Sequence, residues 1–229
     1  MLDKLKKISI EVDFDYVIQT SHFSRIVWEY LASNKALEDL TFDDFEFPSN
    51  LPISELLSLR WTSLKRFALI RFDDGGNAAD PDGLLGFVRA HQQLQTLRID
   101  NWTSSPVSNS QPQPVVHLPH LTSLHIHPNL IPVFHPSDAI TSLTISRAHN
   151  LDRTSDHDVI LASCRYSRIK SFGICTNGCQ TGETQVEHYS AIFEIIYHHF
   201  KELEELRIRF HPWHENVFQL VSLKVKQLW

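Results

Sequence analysis

Leu94-Gln95-Thr96-Leu97-Arg98-Ile99 is the stretch that decides the fold, because its spacing L-x-x-L-x-I recurs along the 229-residue chain. Between the first and last copies the average step is about 27 residues, near the upper end of the roughly 20–29 residues of leucine-rich repeats. The steps vary in length, so the array is degenerate. The nine copies start at Leu5, Leu37, Leu64, Leu94, Leu121, Ile140, Ile169, Leu203 and Leu220.

The repeated phrase has the period of a β-strand, in which alternate side chains point to opposite faces. Its fourth and sixth positions are predicted to point inward, and its third, fifth and seventh positions outward. Parallel neighbours need a crossover segment, which the gaps between copies provide. We therefore expect an α/β leucine-rich-repeat solenoid, or horseshoe, with one parallel sheet on the concave face and irregular helices and loops on the convex face. Residues 1–229 are predicted to form a single domain of about nine irregular repeats.

The composition is that of an ordinary globular protein, with 42% hydrophobic and 21% charged residues. The net charge of −6 argues against nonspecific nucleic-acid binding. Apolar runs are too short for a membrane span. From the charge and the apolar runs together, we expect neither a nucleic acid nor a membrane as partner. Three cysteines, Cys164, Cys175 and Cys179, cannot all pair, which favours a reducing compartment, the cytoplasm or nucleus.

Catalytic signatures such as G-x-S-x-G, the P-loop and H-E-x-x-H are absent from the sequence, so we expect no enzyme and no cofactor. Histidine is abundant, and imidazole is a common metal ligand. No cysteine or acidic cluster of ligand spacing joins the central histidines, so we expect exposed histidines and no metal. A metalloprotein or enzyme built on them remains an alternative. They are His117, His120, His125, His127 and His135.

The outward positions of the phrase are the better functional candidate. They are acid-rich in the early copies, small or neutral in the middle, and basic in the last two. A graded face of this kind suits a protein partner of complementary charge. The last two copies are expected to place four cations side by side. The predicted partner-binding residues are Asp39, Asp43, Arg66, Arg98, His125, His127, Arg207, Arg209, Lys224 and Lys226.

Phrases such as Leu94–Ile99, Leu121–Ile126 and Leu203–Ile208, with aromatic-rich helices and few glycines, resemble the leucine-rich-repeat regions of fungal F-box proteins. The resemblance is one of repeat style and covers the whole chain. It implies selection of a substrate for a ubiquitin ligase. This chain has no F-box, so a Skp1-type adaptor is implied only where an F-box is supplied elsewhere. The asparagine typical of each repeat matches only at Asn129 and Asn177.

Two further hypotheses accompany the leading one, a non-catalytic protein-interaction module. No capping element precedes strand 1 or follows the last phrase, and uncovered sheet edges invite pairing with another chain. A structural scaffold that assembles through these edges is therefore an alternative. The third hypothesis is the histidine-based metal site or enzyme.

Overall fold

One sheet of nine strands, in the order of the sequence, organises the described part of the chain. The computed structural model describes residues 5–11, 28–43, 53–70, 81–100, 115–146, 155–176, 185–210 and 219–224. The strands are β1 (Lys7–Glu11), β2 (Asp39–Asp43), β3 (Arg66–Ile70), β4 (Thr96–Ile99), β5 (Ser123–Ile126), β6 (Ser142–Ile145), β7 (Ser171–Thr176), β8 (Glu205–Phe210) and β9 (Gln219–Lys224).

Strands β1 to β8 are parallel and pair in the register that the repeated phrase predicts. The third position of each phrase aligns with the third position of the next, from Lys7 opposite Asp39 to Ser171 opposite Glu205. No described pair slips by a residue, so inward and outward positions stay separate across eight strands. The α/β class and the parallel sheet are therefore confirmed.

The ninth phrase does not continue the parallel array. Strand β9 pairs with β8 antiparallel, and Lys224 lies opposite Glu205. Only residues 211–218 separate the two strands. A parallel connection needs a crossover of a dozen or more residues, whereas an antiparallel return needs far fewer. The prediction of nine parallel strands is therefore wrong for the last one.

Helical segments lie between most of the strands, where the crossovers were expected. Helix α1 is described over residues 28–33. A 3-10 helix spans Pro128–Val133, where prolines replace the usual helix. At the start of α4, Ser155 Oγ accepts a hydrogen bond from the Asp158 N–H at 3.1 Å, as is typical of a serine at a helix N-terminus. The other helices are α2 (Ile53–Ser58), α3 (Pro81–Ala90), α4 (Asp156–Ser163) and α5 (Gln185–His199).

The core lies between the inward face of the sheet and the helices. Leu97 and Ile99, the inward residues of β4, are fully buried, and the same positions of β2 to β8 are buried too. Helix residues such as Leu56 and Phe87 complete this continuous apolar cluster. None of the described helices is long and apolar enough to cross a membrane.

A ladder of backbone carbonyls, which the phrase alone does not reveal, joins consecutive repeats just before each strand. The Lys6 carbonyl accepts hydrogen bonds from the N–H groups of Glu38 and Asp39, at 2.8 and 2.9 Å. The same arrangement recurs at every step until the Lys170 carbonyl accepts from Glu204 and Glu205, at 2.7 and 2.9 Å. Each repeat is thus fixed to its predecessor through main-chain atoms.

In most of the described repeats a buried residue stands three positions before the phrase, in the turn that leads into the strand, whereas the half-buried Ser137 takes this place before the sixth phrase. The best-defined member is His91, whose Nε2 accepts a hydrogen bond from the Trp61 N–H at 3.0 Å. Its Nδ1 therefore carries the proton and donates to the Phe87 carbonyl at 2.7 Å. Burial lowers the pKa of His91. The other buried members are Asn34, Trp61, Leu118, Tyr166 and Phe200.

Truncation of Leu97 to alanine is predicted to lower the free energy of unfolding by roughly 2–5 kcal/mol, the usual cost of a cavity at a buried leucine. Urea denaturation followed by circular dichroism measures the change. Gln95→Ala, at an exposed neighbour, serves as the control. A loss below about 0.5 kcal/mol for Leu97→Ala would contradict its place in the core.

His91→Gln is predicted to reduce the pH dependence of stability. The folded pKa of His91 lies below its ordinary value of 6.5, so the unfolded chain binds its proton first. The contribution of neutral His91 to the free energy of unfolding is fully present above pH 6.5. It falls as the pH drops towards the lower folded pKa, by up to about 1.4 kcal/mol per pH unit. Urea denaturation at several pH values should show a shallower slope for His91→Gln than for wild type. His120→Gln, at an exposed turn, should keep the wild-type slope, and equal slopes for His91→Gln and wild type would refute the assignment.

Candidate functional site

The outward positions of the phrase form one surface of the sheet, opposite the helices. We call this surface, made by the third, fifth and seventh positions of the phrase on β1 to β8, the open face. In β4, Thr96 and Arg98 are partly exposed, whereas Leu97 and Ile99 are buried. Strands β5 and β6 show the same alternation. The predicted strand parity is therefore confirmed, and most predicted partner-binding residues share this surface.

Ion pairs cross the first three strands of the open face. Asp39 lies between Lys7 and Arg66: its Oδ2 is 3.6 Å from Lys7 Nζ and 2.9 Å from Arg66 Nε. Strand register explains the contact, because these three residues stand opposite one another on β1, β2 and β3. Asp39 was predicted to meet a partner directly, but the two cations cover it and leave it buried.

A second row of charges runs beside the first, at the positions immediately before β1, β2 and β3. Both Lys6 Nζ and Lys65 Nζ lie 2.7 Å from carboxylate oxygens of Glu38. Hydrogen bonds from Lys6 and then Lys65 lower the pKa of Glu38 to about 2. Glu38 and Asp39 therefore each lie between two cations.

The best-built cluster of the open face joins β4 and β5. Arg98 donates to Asp100 Oδ2 through Nε at 3.1 Å and through Nη2 at 2.7 Å. His125 Nε2 lies 3.0 Å from Asp100 Oδ1. Burial acts to raise the pKa of Asp100, but the contacts with His125 and Arg98 outweigh it, so the net pKa is lower than usual. Asp100 follows Ile99 at the seventh position of the phrase, and its central role was not predicted.

At the other end of the open face, Glu205 holds Arg207. Arg207 donates to Glu205 Oε1 from Nε at 2.9 Å, and its Nη2 lies 2.8 Å from the same oxygen. Ser171 Oγ donates to Glu205 Oε2 at 3.0 Å. The predicted row of four cations is wrong, because the antiparallel β9 places Lys224 opposite Glu205. Of the remaining predicted partner-binding residues, Arg209 is exposed on β8 and Asp43 is the last residue of β2. Lys226 lies outside the described residues.

Small side chains line the middle of the open face, on β6 and β7. Ser142, Thr144 and Ser171 are partly exposed there. Gly173 packs closely on this floor, because a Cβ atom at this position would lie 3.0 Å from the Thr144 side chain, tighter than ordinary van der Waals contact. The charged clusters of β4–β5 and β8 thus stand on either side of a low, hydroxyl-lined floor.

The central histidines do not form one site. His127 was predicted to be exposed beside His125, but β5 ends at Ile126, and His127 is buried at the start of the 3-10 helix. Its Nδ1 accepts from the Asn129 N–H at 3.3 Å. The rings of His117 and His135 contact each other, with centroids 5.5 Å apart. Within the described residues, no group of three or more potential metal ligands occurs.

No protein-family model and no curated protein matches the sequence. Any functional assignment therefore rests on the open face itself. Ion pairs hold charges on β1–β5 and on β8, and the centre of the face presents hydroxyl groups. Such a surface is suited to binding through charge and hydrogen bonding.

Asp100→Asn is predicted to lower the free energy of unfolding at pH 7 by about 1–3 kcal/mol, the usual cost of disrupting a buried charged hydrogen bond. Because the folded pKa of Asp100 lies below its ordinary 3.8, the stabilisation is present above pH 3.8 and is lost as the pH falls through the lower folded pKa. Urea denaturation between pH 3 and pH 7 tests this. The wild-type advantage should shrink at acidic pH, and Glu202→Gln, at an exposed carboxylate, should resemble wild type. A constant difference at every pH would contradict the prediction.

Proposed function

We propose that this chain is a non-catalytic module that binds a protein partner on the open face, within a leucine-rich-repeat solenoid whose sheet lines the concave side. The resemblance to fungal F-box proteins supports a more specific role, recognition of a substrate protein for a ubiquitin ligase in the cytoplasm or nucleus. An adaptor of the Skp1 type enters this proposal only where an F-box is supplied elsewhere.

The observation that supports the proposal best is the continuity of the open face. Eight parallel strands stay in register, so their outward positions make one surface. With strands about 4.8 Å apart, this surface is about 34 Å wide, and four to six residues of strand make it about 13–20 Å long. Its area is several hundred Å², approaching the roughly 800 Å² that one partner contributes to a standard protein interface.

A scaffold that assembles through sheet edges is the second candidate, favoured by one feature of β1. Ile8 and Ile10, the inward residues of this edge strand, are only partly buried, whereas the inward residues of β2 to β8 are buried. Leu5, just before β1, is exposed. Sedimentation velocity over a hundredfold concentration range separates the candidates, because assembly through edges requires a size that grows with concentration.

Ser142→Tyr is predicted to abolish partner capture, because it places a bulky ring on the low floor of the open face. The matched variant Ala162→Tyr adds the same ring to an exposed position of α4, on the helix side. Tagged wild type and both variants are used for affinity capture from the source cells, with quantitative mass spectrometry. Partners should be retained by Ala162→Tyr and lost by Ser142→Tyr. Retention by Ser142→Tyr, with thermal unfolding unchanged, would argue against the open face.

A further inference from the structure

The carboxylates of Asp39, Asp100 and Glu205 lie low on the open face, and the arginines that pair with them lie higher. This layering follows from side-chain length, because lysine and arginine reach further from the backbone than aspartate or glutamate. A partner that approaches this part of the face therefore meets guanidinium groups first. The side-chain exposures are 7% for Asp39 and 56% for Arg66, 9% for Asp100 and 37% for Arg98, and 33% for Glu205 and 59% for Arg207.

The paired arginines keep donors for a second acceptor. Arg66 contacts Asp39 through Nε. Arg98 and Arg207 use Nε and Nη2 for their carboxylates, which do not engage Nη1. A guanidinium has five N–H donors in a rigid plane and suits carboxylate recognition. The low carboxylates orient the guanidinium groups, which reduces the entropy lost when a partner binds.

We propose that the open face recognises an acidic, extended segment of its protein partner, a proposal that rests on the function proposed above. Arg66, Arg98 and Arg207 contact the segment, and the carboxylates beneath them act as positioning residues. From β4 to β8 there are four strand spacings, about 19 Å, which an extended chain covers in about six residues. The segment therefore carries acidic groups about six residues apart, with small or polar residues over the hydroxyl-lined floor.

Two observations favour an acidic polypeptide over a nucleic acid. The cations of β4 and β8 are separated by Ser142, Thr144 and Gly173, whereas a phosphate backbone requires a continuous basic track. None of the outward positions on the described strands is Phe, Tyr or Trp, so the face offers no such ring for base stacking. Glu11 is exposed at the end of β1 and lies opposite Asp43 on β2. These two carboxylates restrict the cationic part of the open face to β3–β8.

Fluorescence anisotropy with labelled twelve-residue peptides tests the proposal. The probe alternates glutamate and serine, and the matched probes replace glutamate with glutamine or lysine. An oligothymidylate of the same length is included. Wild type should bind the glutamate peptide preferentially, with an affinity that falls as salt is added. Arg66→Gln combined with Arg207→Gln should weaken binding about fivefold or more, since each exposed ion pair contributes modestly.

The control removes two cations from the helix side, Arg89→Gln combined with Lys201→Gln, at exposed positions near the ends of α3 and α5. This variant should bind within about twofold of wild type, because the charges are remote from the open face. Replacement of Arg66 and Arg207 by lysine should restore part of the affinity, since charge returns without the planar fork. Circular dichroism verifies that each variant is folded.

Several results would overturn the inference. These are no binding of the glutamate peptide, equal binding of the glutamine peptide, preference for the lysine peptide or oligothymidylate, or an equal loss in the helix-side variant. Binding of the captured partners to the same variants distinguishes failure of the acidic-segment proposal from failure of the proposed function. If Ser142→Tyr loses the partners but the arginine-to-glutamine variant binds them normally, the open face remains the proposed binding surface and acidic recognition is rejected. If both variants retain the partners, the open face itself is rejected as the binding surface.

Discussion

The structure depends on a backbone carbonyl at each strand entrance, which accepts hydrogen bonds from two consecutive N–H groups of the next repeat. Lys6 O holds Glu38 and Asp39 in this way, and the ladder continues to Lys170 O. Because these bonds involve only main-chain atoms, they tolerate side chains as different as lysine, glutamine and threonine. They also fix the register of each strand whatever the length of the crossover before it. This explains how repeats of uneven length build an unbroken parallel sheet.

Fixed register determines the electrostatics of the open face. Residues at the same position of neighbouring phrases stand opposite each other, so Asp39 meets Lys7 and Arg66. Asp100 reaches Arg98 on its own strand and His125 on the next. Short acidic side chains then lie beneath long basic ones. A chain with a net charge of −6 can therefore present cations on one face of its sheet.

The turns before the strands show how an irregular repeat satisfies buried polar atoms. Asn34 Nδ2 donates to the Leu5 carbonyl at 2.8 Å. At the next equivalent positions, Trp61 Nε1 donates to the Leu31 carbonyl at 2.8 Å, and His91 accepts from the Trp61 N–H. Asparagine, tryptophan and histidine thus supply hydrogen bonds at the same structural position.

The sequence alone determined the strands, their order and their parallel pairing up to β8. It also determined the side of the sheet on which residues such as Leu97 and Arg98 lie, because alternate residues of a strand point to opposite faces. The direction of β9 was decided by the short connection after Phe210, which cannot cross over. Tertiary structure alone buried His127 and placed Asp100 between Arg98 and His125, since strand ends and side-chain heights are not encoded in the repeat spacing. It likewise placed Asp39 beneath Arg66, because depth on a sheet depends on the length and charge of neighbours on adjacent strands.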